Sequence, residues 1–479
     1  MPTKIPMGDL IVTLPGILGS VLQKDSKDLW AISGRSIVNV IKDRDGMLAD
    51  LQLDQDDPTA MDLGDGIKAT RLVEDVTIVP GFFKVEAYTQ PSKMIIDHFD
   101  VVVGDIYHDS WDKSANFYQF PYDWRRDNRA NAKILKHYLD RRLHCWRTAS
   151  GNPDAKVILL AHSMGGLVSR YYLEVLEGWR DAKALFTCGT PYRGAVNAVN
   201  FLSNGYKGRF LDFTETVRSM TSVYQLLPIY EMMKIGNSYQ RIAELDSIPH
   251  VDQARAQDAL AFHREIETAV TAHLKEEAYR NFTTVPIAGI QQPTLQSAEL
   301  IDGKIVASET LPEVLKNRPD LVDGDGTVPQ VSAFPIELSN SLNTTYIAEK
   351  HSSLQYQPQI LGDIRERLSV SQFNASSVRA PQGAISVSLD DAYLVDEPIV
   401  LRSRLLGNAA LSATGVNAAI TTVSGEGKSI AQPFVKPLVQ TEEGEWELAI
   451  ELPVGVYRVT VAADGEGVSA VHDVFEVMR

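Results

Sequence analysis

Cysteine is nearly absent: Cys145 and Cys188 are the two in a chain of 479 residues. A disulfide framework is therefore not what stabilises the chain, and a reducing compartment is the simpler expectation. Positive charge is also in short supply. Lys and Arg total 46 against 62 Asp and Glu, for a formal net charge of -16. That balance argues against sequence-independent nucleic-acid binding, which needs a basic face, so no nucleic-acid partner is expected. An uninterrupted apolar run of about 18 residues, the length a membrane-spanning helix needs, occurs nowhere. Met1 to Asp9 is short and polar, without the charged and then apolar leader of a secretory signal. Together these set a cytoplasmic location as the expectation. Repeats and low-complexity tracts are missing too. What remains is globular: 44% hydrophobic and 23% charged residues, enough to bury a sizeable core, in a length that allows more than one domain.

Two patterns divide the chain. Up to about residue 370, short apolar runs alternate with segments of helical spacing. Leu10–Leu14, Val101–Ile106, Val157–Ala161, Leu185–Cys188 and Thr284–Ala288 read as buried strands. Between them, Ile134, Leu135, Tyr138, Leu139, Arg142 and Leu143 recur at three and four residues, predicting a helix over 132–146, and Tyr171 to Leu176 continues a second helix. Such alternation predicts a parallel α/β sheet. After about Ala380 the period changes to two. Trp446, Leu448, Ile450 and Leu452 share one face of a strand, Tyr457, Val459 and Val461 a face of the next, and Ile385, Val387 and Leu389 a third. This predicts an all-β sandwich of immunoglobulin-like type over 380–479, joined to a unit over 1–375 by a Ser-, Asn-, Ala- and Pro-containing linker at 371–382.

The chemistry-bearing segment is Val157-Ile-Leu-Leu-Ala-His-Ser-Met-Gly-Gly166. A short apolar strand runs into small-x-Ser-x-Gly and then into a helix. That order is the nucleophile elbow of an α/β-hydrolase fold, whose tight turn lifts the serine hydroxyl out at the sheet edge. The positions two residues before and after Ser163 must be small. Here they are Ala161, where Gly is more usual, and Gly165.

A nucleophilic serine needs a base and a carboxylate to orient it, which follow in the order Ser, Asp, His in this fold. The best acidic turn after Ser163 is Val322-Asp-Gly-Asp-Gly-Thr-Val-Pro329, offering Asp323 or Asp325; Asp325 is preferred, because a strand end presents it just before the turn. His351 and His472 then lie downstream. His472 falls in the β-rich tail, whereas His351 sits in a polar loop after the strand-like 344–348, and His351 is the expected base. A calcium loop starting at Asp323 is excluded, because its twelfth position is Phe334 rather than a bidentate Glu. No metal and no organic cofactor is implied. The oxyanion hole needs two backbone N–H groups. One is expected from Met164, after the nucleophile, and the other from the glycine-punctuated Leu14-Pro-Gly-Ile-Leu-Gly-Ser20, at Ile17 or, second, Leu18.

These motifs together resemble the lecithin:cholesterol acyltransferase-like branch of the α/β hydrolases, which includes lysosomal phospholipase A2. The likeness rests on Leu14–Ser20, Phe120-Pro-Tyr-Asp-Trp-Arg125, Ala161–Gly166, Gly189-Thr-Pro-Tyr-Arg-Gly194, Ser222-Val-Tyr-Gln-Leu-Leu-Pro228 and Asp323–Pro329. The resemblance implies a triad of Ser163, Asp325 and His351 and a serine acyl hydrolase of lipase or phospholipase A type. It equally allows an O-acyltransferase that passes the acyl group to an alcohol. A lipid or small ester is the implied substrate. A catalytically silent scaffold on the same fold is disfavoured, because every triad position is filled. It also implies a helical cap or lid inserted around 195–280. The stretch 201–230 carries Phe201, Leu202, Phe210, Leu211, Phe213, Met220, Tyr224, Leu226 and Leu227 with Lys207, Arg209 and Arg218. That composition suits either a flap in peripheral membrane contact or an ordinary packed cap. Cysteine is missing from this stretch, unlike in the secreted animal members. Nothing in the likeness reaches the tail, for which a protein, glycan or surface partner is the expectation, with simple covering of the enzyme unit as the alternative.

Overall fold

Seven short strands make the central sheet, and most of them are continuous buried apolar runs, as strands covered on both faces must be. They are β1 (Leu10–Leu14), β2 (Val103–Asp105), β3 (Phe117–Gln119), β4 (Val157–His162), β5 (Ala182–Cys188), β6 (Thr283–Gly289) and β7 (Thr345–Ile347). This computed structural model describes residues 4–30, 44–74, 77–79, 83–85, 88–110, 113–207, 212–338, 344–370, 383–407, 413–425, 433–442, 444–464 and 468–478. The strand order is β7-β6-β5-β4-β1-β3-β2, and every neighbouring pair is parallel. The 371–382 linker expectation lies outside the described residues.

From β1 the chain builds the sheet one way through β2 and β3. From β4 it builds the other way through β5, β6 and β7. The order reverses between β1 and β4, and an α/β sheet binds ligands at the carboxyl ends of strands at such a switch point. The loop after β1 and the turn bearing Ser163 after β4 both lie there. One expectation needs correcting at the far edge. Residues 101–106 are not a buried strand: only 103–105 pair, and Val102 and Val103 are 49% and 52% exposed, because β2 has a single neighbour.

Helices cover both faces. On one side, α1 (Thr89–His98) and α5 (Pro358–Val370) pack Met94, Ile95, Ile360, Ile364 and Leu368 against Ile11, Ile158, Phe186 and Ile287. On the other lie α2 (Asn128–Ser150), α3 (Gly165–Arg170) and α4 (Gln253–His273). Helix α2 is longer than its apolar spacing predicts because Asp127 caps it, accepting from the Arg129 N–H, and Gly151 ends it at φ 66°. Arg142, read as a helical-face residue, is fully buried and donates to the carbonyls of Asp105, Ile106, Asp109 and Ser110. The expected continuation at Tyr171 is a π-helical turn, Tyr171–Val175.

After β5 the chain runs through further helices and short strands before β6. Leu202, Phe213, Met220, Tyr224 and Leu227 are buried in the main core, and Arg218 spends its guanidinium on the carbonyls of Leu202 and Ser203. These apolar residues of the 201–230 stretch are thus packed inward, while Lys207 is exposed; Arg209, Phe210 and Leu211 lie outside the described residues. A small sheet joins Met233–Ile235 and Ser238–Gln240 to Ser297–Ile301 and Lys304–Ser308. This sheet therefore draws two of its strands from beyond β6.

The tail forms two sheets. One holds β8 (Gly383–Ser388), β10 (Ile399–Gly407), β14 (Trp446–Ile450) and β13 (Val439–Gln440). The other holds β9 (Ala392–Leu394), β16 (Val471–Met478), β15 (Gly455–Ala463), β11 (Val416–Gly425) and β12 (Phe434–Pro437). Ile385, Val387, Leu401, Ile420, Tyr457, Val459, Val461 and Phe475 share one core between them. Pairing is antiparallel except for β9 with β16. Among the described residues no helix is long and apolar enough to cross a membrane.

Candidate functional site

Ser163 sits at φ 52°, a left-handed conformation that a side chain adopts only under constraint from its surroundings. The constraint is visible at the neighbouring glycines. A Cβ on Gly165 would lie 2.3 Å from the Pro15 carbonyl oxygen, and one on Gly166 would lie 2.0 Å from Thr190 Oγ1. Helix, strand and the β1 loop meet too closely for any side chain at either place. Thr190 Oγ1 in turn donates to the Ser163 carbonyl at 2.9 Å.

The structure brings Ser163, His351 and Asp325 together from elements far apart in sequence. His351 Nε2 is 2.9 Å from Ser163 Oγ, and His351 Nδ1 is 2.7 Å from Asp325 Oδ2. A carboxylate only accepts, so Nδ1 carries the proton, and Nε2 is left to accept from the serine hydroxyl. Asp325 is itself held by the amides of Thr327 and Val328, which donate to Oδ1. The His351 N–H donates to the Asp325 carbonyl at 2.8 Å. All three side chains are buried. Asp323 is placed differently: half-buried, its backbone carbonyl taken by the Gln330 and Gln296 donors, and with no recorded bond to His351.

Ile17 and Met164 lie on the two loops that flank the serine. A Cβ on Gly16 would come within 2.8 Å of Ser163 Cβ, which puts the β1 loop directly against Ser163. Among the described residues, neither the Ile17 nor the Met164 N–H has a protein acceptor. Leu18, the second choice, is at φ 61°, and its carbonyl accepts from Trp30 Nε1.

The Phe120–Arg125 segment buttresses this loop. Tyr122 donates its hydroxyl to the Pro15 carbonyl, and Trp124 donates Nε1 to the Ser20 carbonyl. Arg125, fully buried, is neutralised by Asp123 and Asp65. The Ser222–Pro228 segment locks onto it: Ser222 Oγ donates to the Trp124 carbonyl, and Gln225 bridges Asp127 and the Asn128 amide. The Gly189–Gly194 loop is tied to the same segment through the Ala195 N–H and Leu226 carbonyl. Motifs scattered over a hundred residues thus form one hydrogen-bonded shell around the β1 loop.

Sequence reasoning missed two neighbours of the serine. Burial, reinforced by the nearby His351, pushes the His162 imidazole down to about 3. The neutral ring donates from Nε2 to the His351 carbonyl at 3.1 Å and accepts at Nδ1 from the Tyr88 hydroxyl at 2.9 Å. The Tyr88 oxygen accepts the Gly16 N–H at 2.8 Å. One chain of bonds therefore links the His351 turn, the elbow and the β1 loop. Nothing local marks Tyr88; a histidine beside the serine is the only sequence signal for this network.

The family model for lecithin:cholesterol acyltransferase matches residues 75–360, more than half of the chain and all of the site apart from the β1 loop. The chain belongs to the lecithin:cholesterol acyltransferase family. Within it, the chain is 28% identical over 176 residues to the lysosomal phospholipase A and acyltransferase of Homo sapiens, covering 34% of this chain and 41% of that protein. It is 27% identical over 176 residues to the Canis lupus familiaris protein of the same name, with the same shares covered. The chain thus spans about two-fifths of the length of these relatives. Among solved structures, the Bacillus licheniformis lipase BlEst2 in propeptide form is 12% identical at TM-score 0.32, covering 99% of this chain and 93% of that one. The family match ends before the C-terminal β unit.

Proposed function

We propose that this member of the lecithin:cholesterol acyltransferase family is a serine acyl hydrolase of the α/β-hydrolase type acting on ester lipids, with Ser163 as nucleophile. The observation that carries this reading is the bonded chain from Asp325 through His351 to Ser163 Oγ, at a serine of left-handed φ. His351 Nε2 takes the hydroxyl proton as Oγ attacks the ester carbonyl, and Asp325 stabilises the imidazolium. The oxyanion faces the N–H groups of Ile17 and Met164; such donors are each worth on the order of 10²–10³ in kcat. His351 then protonates the departing alcohol. In the second half it takes a proton from the incoming acceptor, which attacks the acyl-enzyme and frees Ser163.

The acceptor separates two readings. Water gives a fatty acid. An alcohol gives a new ester, and this O-acyltransferase reading is favoured by the relatives' name, phospholipase A and acyltransferase. The tail is read as an immunoglobulin-like sandwich, supported by two sheets around one apolar core. The test is fatty-acid release from acyl-labelled phospholipid, with and without added alcohol. Ser163→Ala is expected to lower release by roughly 10⁴-fold or more. Labelled ester appearing with alcohol assigns the transferase. Release that survives Ser163→Ala removes Ser163 from the mechanism.

A further inference from the structure

Two fully buried polar side chains leave the α/β unit and end in the C-terminal β unit. Each belongs to a segment that supports one member of the triad. Gln292 follows β6, and its backbone pairs with Gly324 in both directions, next to Asp325. Its side chain donates to the Ile385 carbonyl at 2.9 Å and accepts the Val387 N–H at 3.1 Å, both on β8. Glu349 lies two residues before His351. Its Oε1 accepts the Lys350 and His472 amides at 2.8 and 2.9 Å, and its Oε2 accepts His472 Nδ1 at 2.8 Å. His472 is on β16. The His472 carbonyl accepts from Ser353 Oγ, and its ring stands edge-on to Tyr356, over which Arg458 of β15 also lies.

Each of the two β sheets thus holds one triad-bearing turn, β8 the acid turn and β16 the base turn. A fully buried carboxylate such as Glu349 is tolerated only with its acceptor sites filled, and two of its three donors come from His472. Such a satisfied polar contact fixes orientation, which apolar packing alone leaves loose. The His351 side chain must meet Ser163 Oγ within hydrogen-bond reach, and misplacement by about 1 Å can cost on the order of 10²-fold in rate.

We infer that the C-terminal β unit is a clamp on the catalytic loops, with Glu349, His472 and Gln292 as positioning residues that set His351 and Asp325 against Ser163. This inference rests on the triad reading proposed above. It gives the unit a structural part in the site, beside the expectation of a protein, glycan or surface partner and the alternative of simple covering. The three act through the placement of His351 and Asp325.

The experiment uses the full-length chain: kcat and KM on a soluble ester, and the rate of Ser163 labelling by a fluorophosphonate. His472→Leu, which removes the donor to Glu349 Oε2 and leaves the two backbone amides on Oε1, is expected to lower kcat and the labelling rate about 10-fold or more with KM within about twofold. His472→Asn, which keeps a donor near the Nδ1 position, is expected to restore most of the loss. Gln359→Ala, which removes the exposed Gln359–Ser469 contact of the same interface, is expected to leave both rates unchanged. Glu349→Gln is the milder second variant should His472→Leu fail to fold, and a severalfold kcat loss is expected of it. Folded His472→Leu or Glu349→Gln with wild-type kcat overturns the clamp. Equal losses in Leu, Asn and Gln359→Ala variants overturn it as well, since they mark general loosening. A wild-type chain that neither turns over ester nor takes up the fluorophosphonate refutes the triad reading and the clamp with it.

Discussion

Replacing Tyr88 with Phe tests whether the network behind the serine has a kinetic role. The substitution keeps a buried ring and deletes one oxygen atom. That oxygen accepts the Gly16 N–H and donates to His162 Nδ1, both inside a region closed to solvent. A buried polar group left without its partner costs about 1–3 kcal/mol. Two are stranded here, so the upper range is about 2–6 kcal/mol, and partial relaxation puts the expectation near ~3 kcal/mol. The kinetic effect runs through Gly16, because its N–H anchors the loop that carries the Ile17 N–H beside Ser163. Loosening that loop is expected to lower kcat about 10-fold or more, with KM little changed, because the oxyanion develops only in the transition state. Urea unfolding followed by tryptophan fluorescence measures the first quantity, and single-turnover acylation by a soluble ester the second. A Tyr88→Phe chain within about 0.5 kcal/mol of wild type, acylating at the wild-type rate, would refute the reasoning; the Tyr88 bonds would then be incidental.

Two further expectations follow from the same region. Gly166→Ala places a methyl 2.0 Å from Thr190 Oγ1, so Thr190 must give up its bond to the Ser163 carbonyl. Overpacking of this kind costs about 1–3 kcal/mol, and both stability and acylation rate are expected to fall; unchanged values in unfolding and acylation assays would show the elbow to be more pliable than its geometry implies. His162 makes stability depend on pH. Its ordinary value is 6.5 and burial pushes it down to about 3, so below pH 6.5 the unfolded chain takes up a proton that the folded chain refuses. The stability that depends on neutral His162 is present above pH 6.5 and is lost progressively as pH falls towards 3, with a limiting slope of about 1.4 kcal/mol per pH unit. Urea midpoints from pH 7 to 4 should fall less steeply in His162→Asn than in wild type, and parallel curves would contradict the assignment.

Much of the site was legible because its signals are local. The run Val157–Ala161, the small residues around Ser163 and the following helix sit within about ten residues, and the chain's short-range sterics leave one way to fold them. Parallel strands buried on both faces wrote themselves as apolar runs at β1, β4, β5 and β6, and the period-two tail wrote itself as strands. Asp325 and His351 could be chosen from sequence because the best acidic turn after Ser163 holds Asp325, and only His351 and His472 follow that turn. The edge strand β2 was misread for the converse reason: Val101–Val103 is as apolar as a core strand, and only its having one neighbour leaves it exposed.

What the sequence determined by itself is a set of local groups: a serine in a strained turn, Asp325 and His351 downstream of it, and a β-rich tail. What only the tertiary structure decided is how those groups are held. Tyr88 meets His162 across 74 residues, Gln292 meets Ile385 across 93, and Glu349 meets His472 across 123. Two are contacts between side chains and one joins a side chain to a backbone carbonyl, and no local pattern pairs one partner with the other. Such contacts are made obligatory by burial, because a carboxylate or amide removed from water must find a partner, and which partner it finds depends on which surfaces the completed fold presses together.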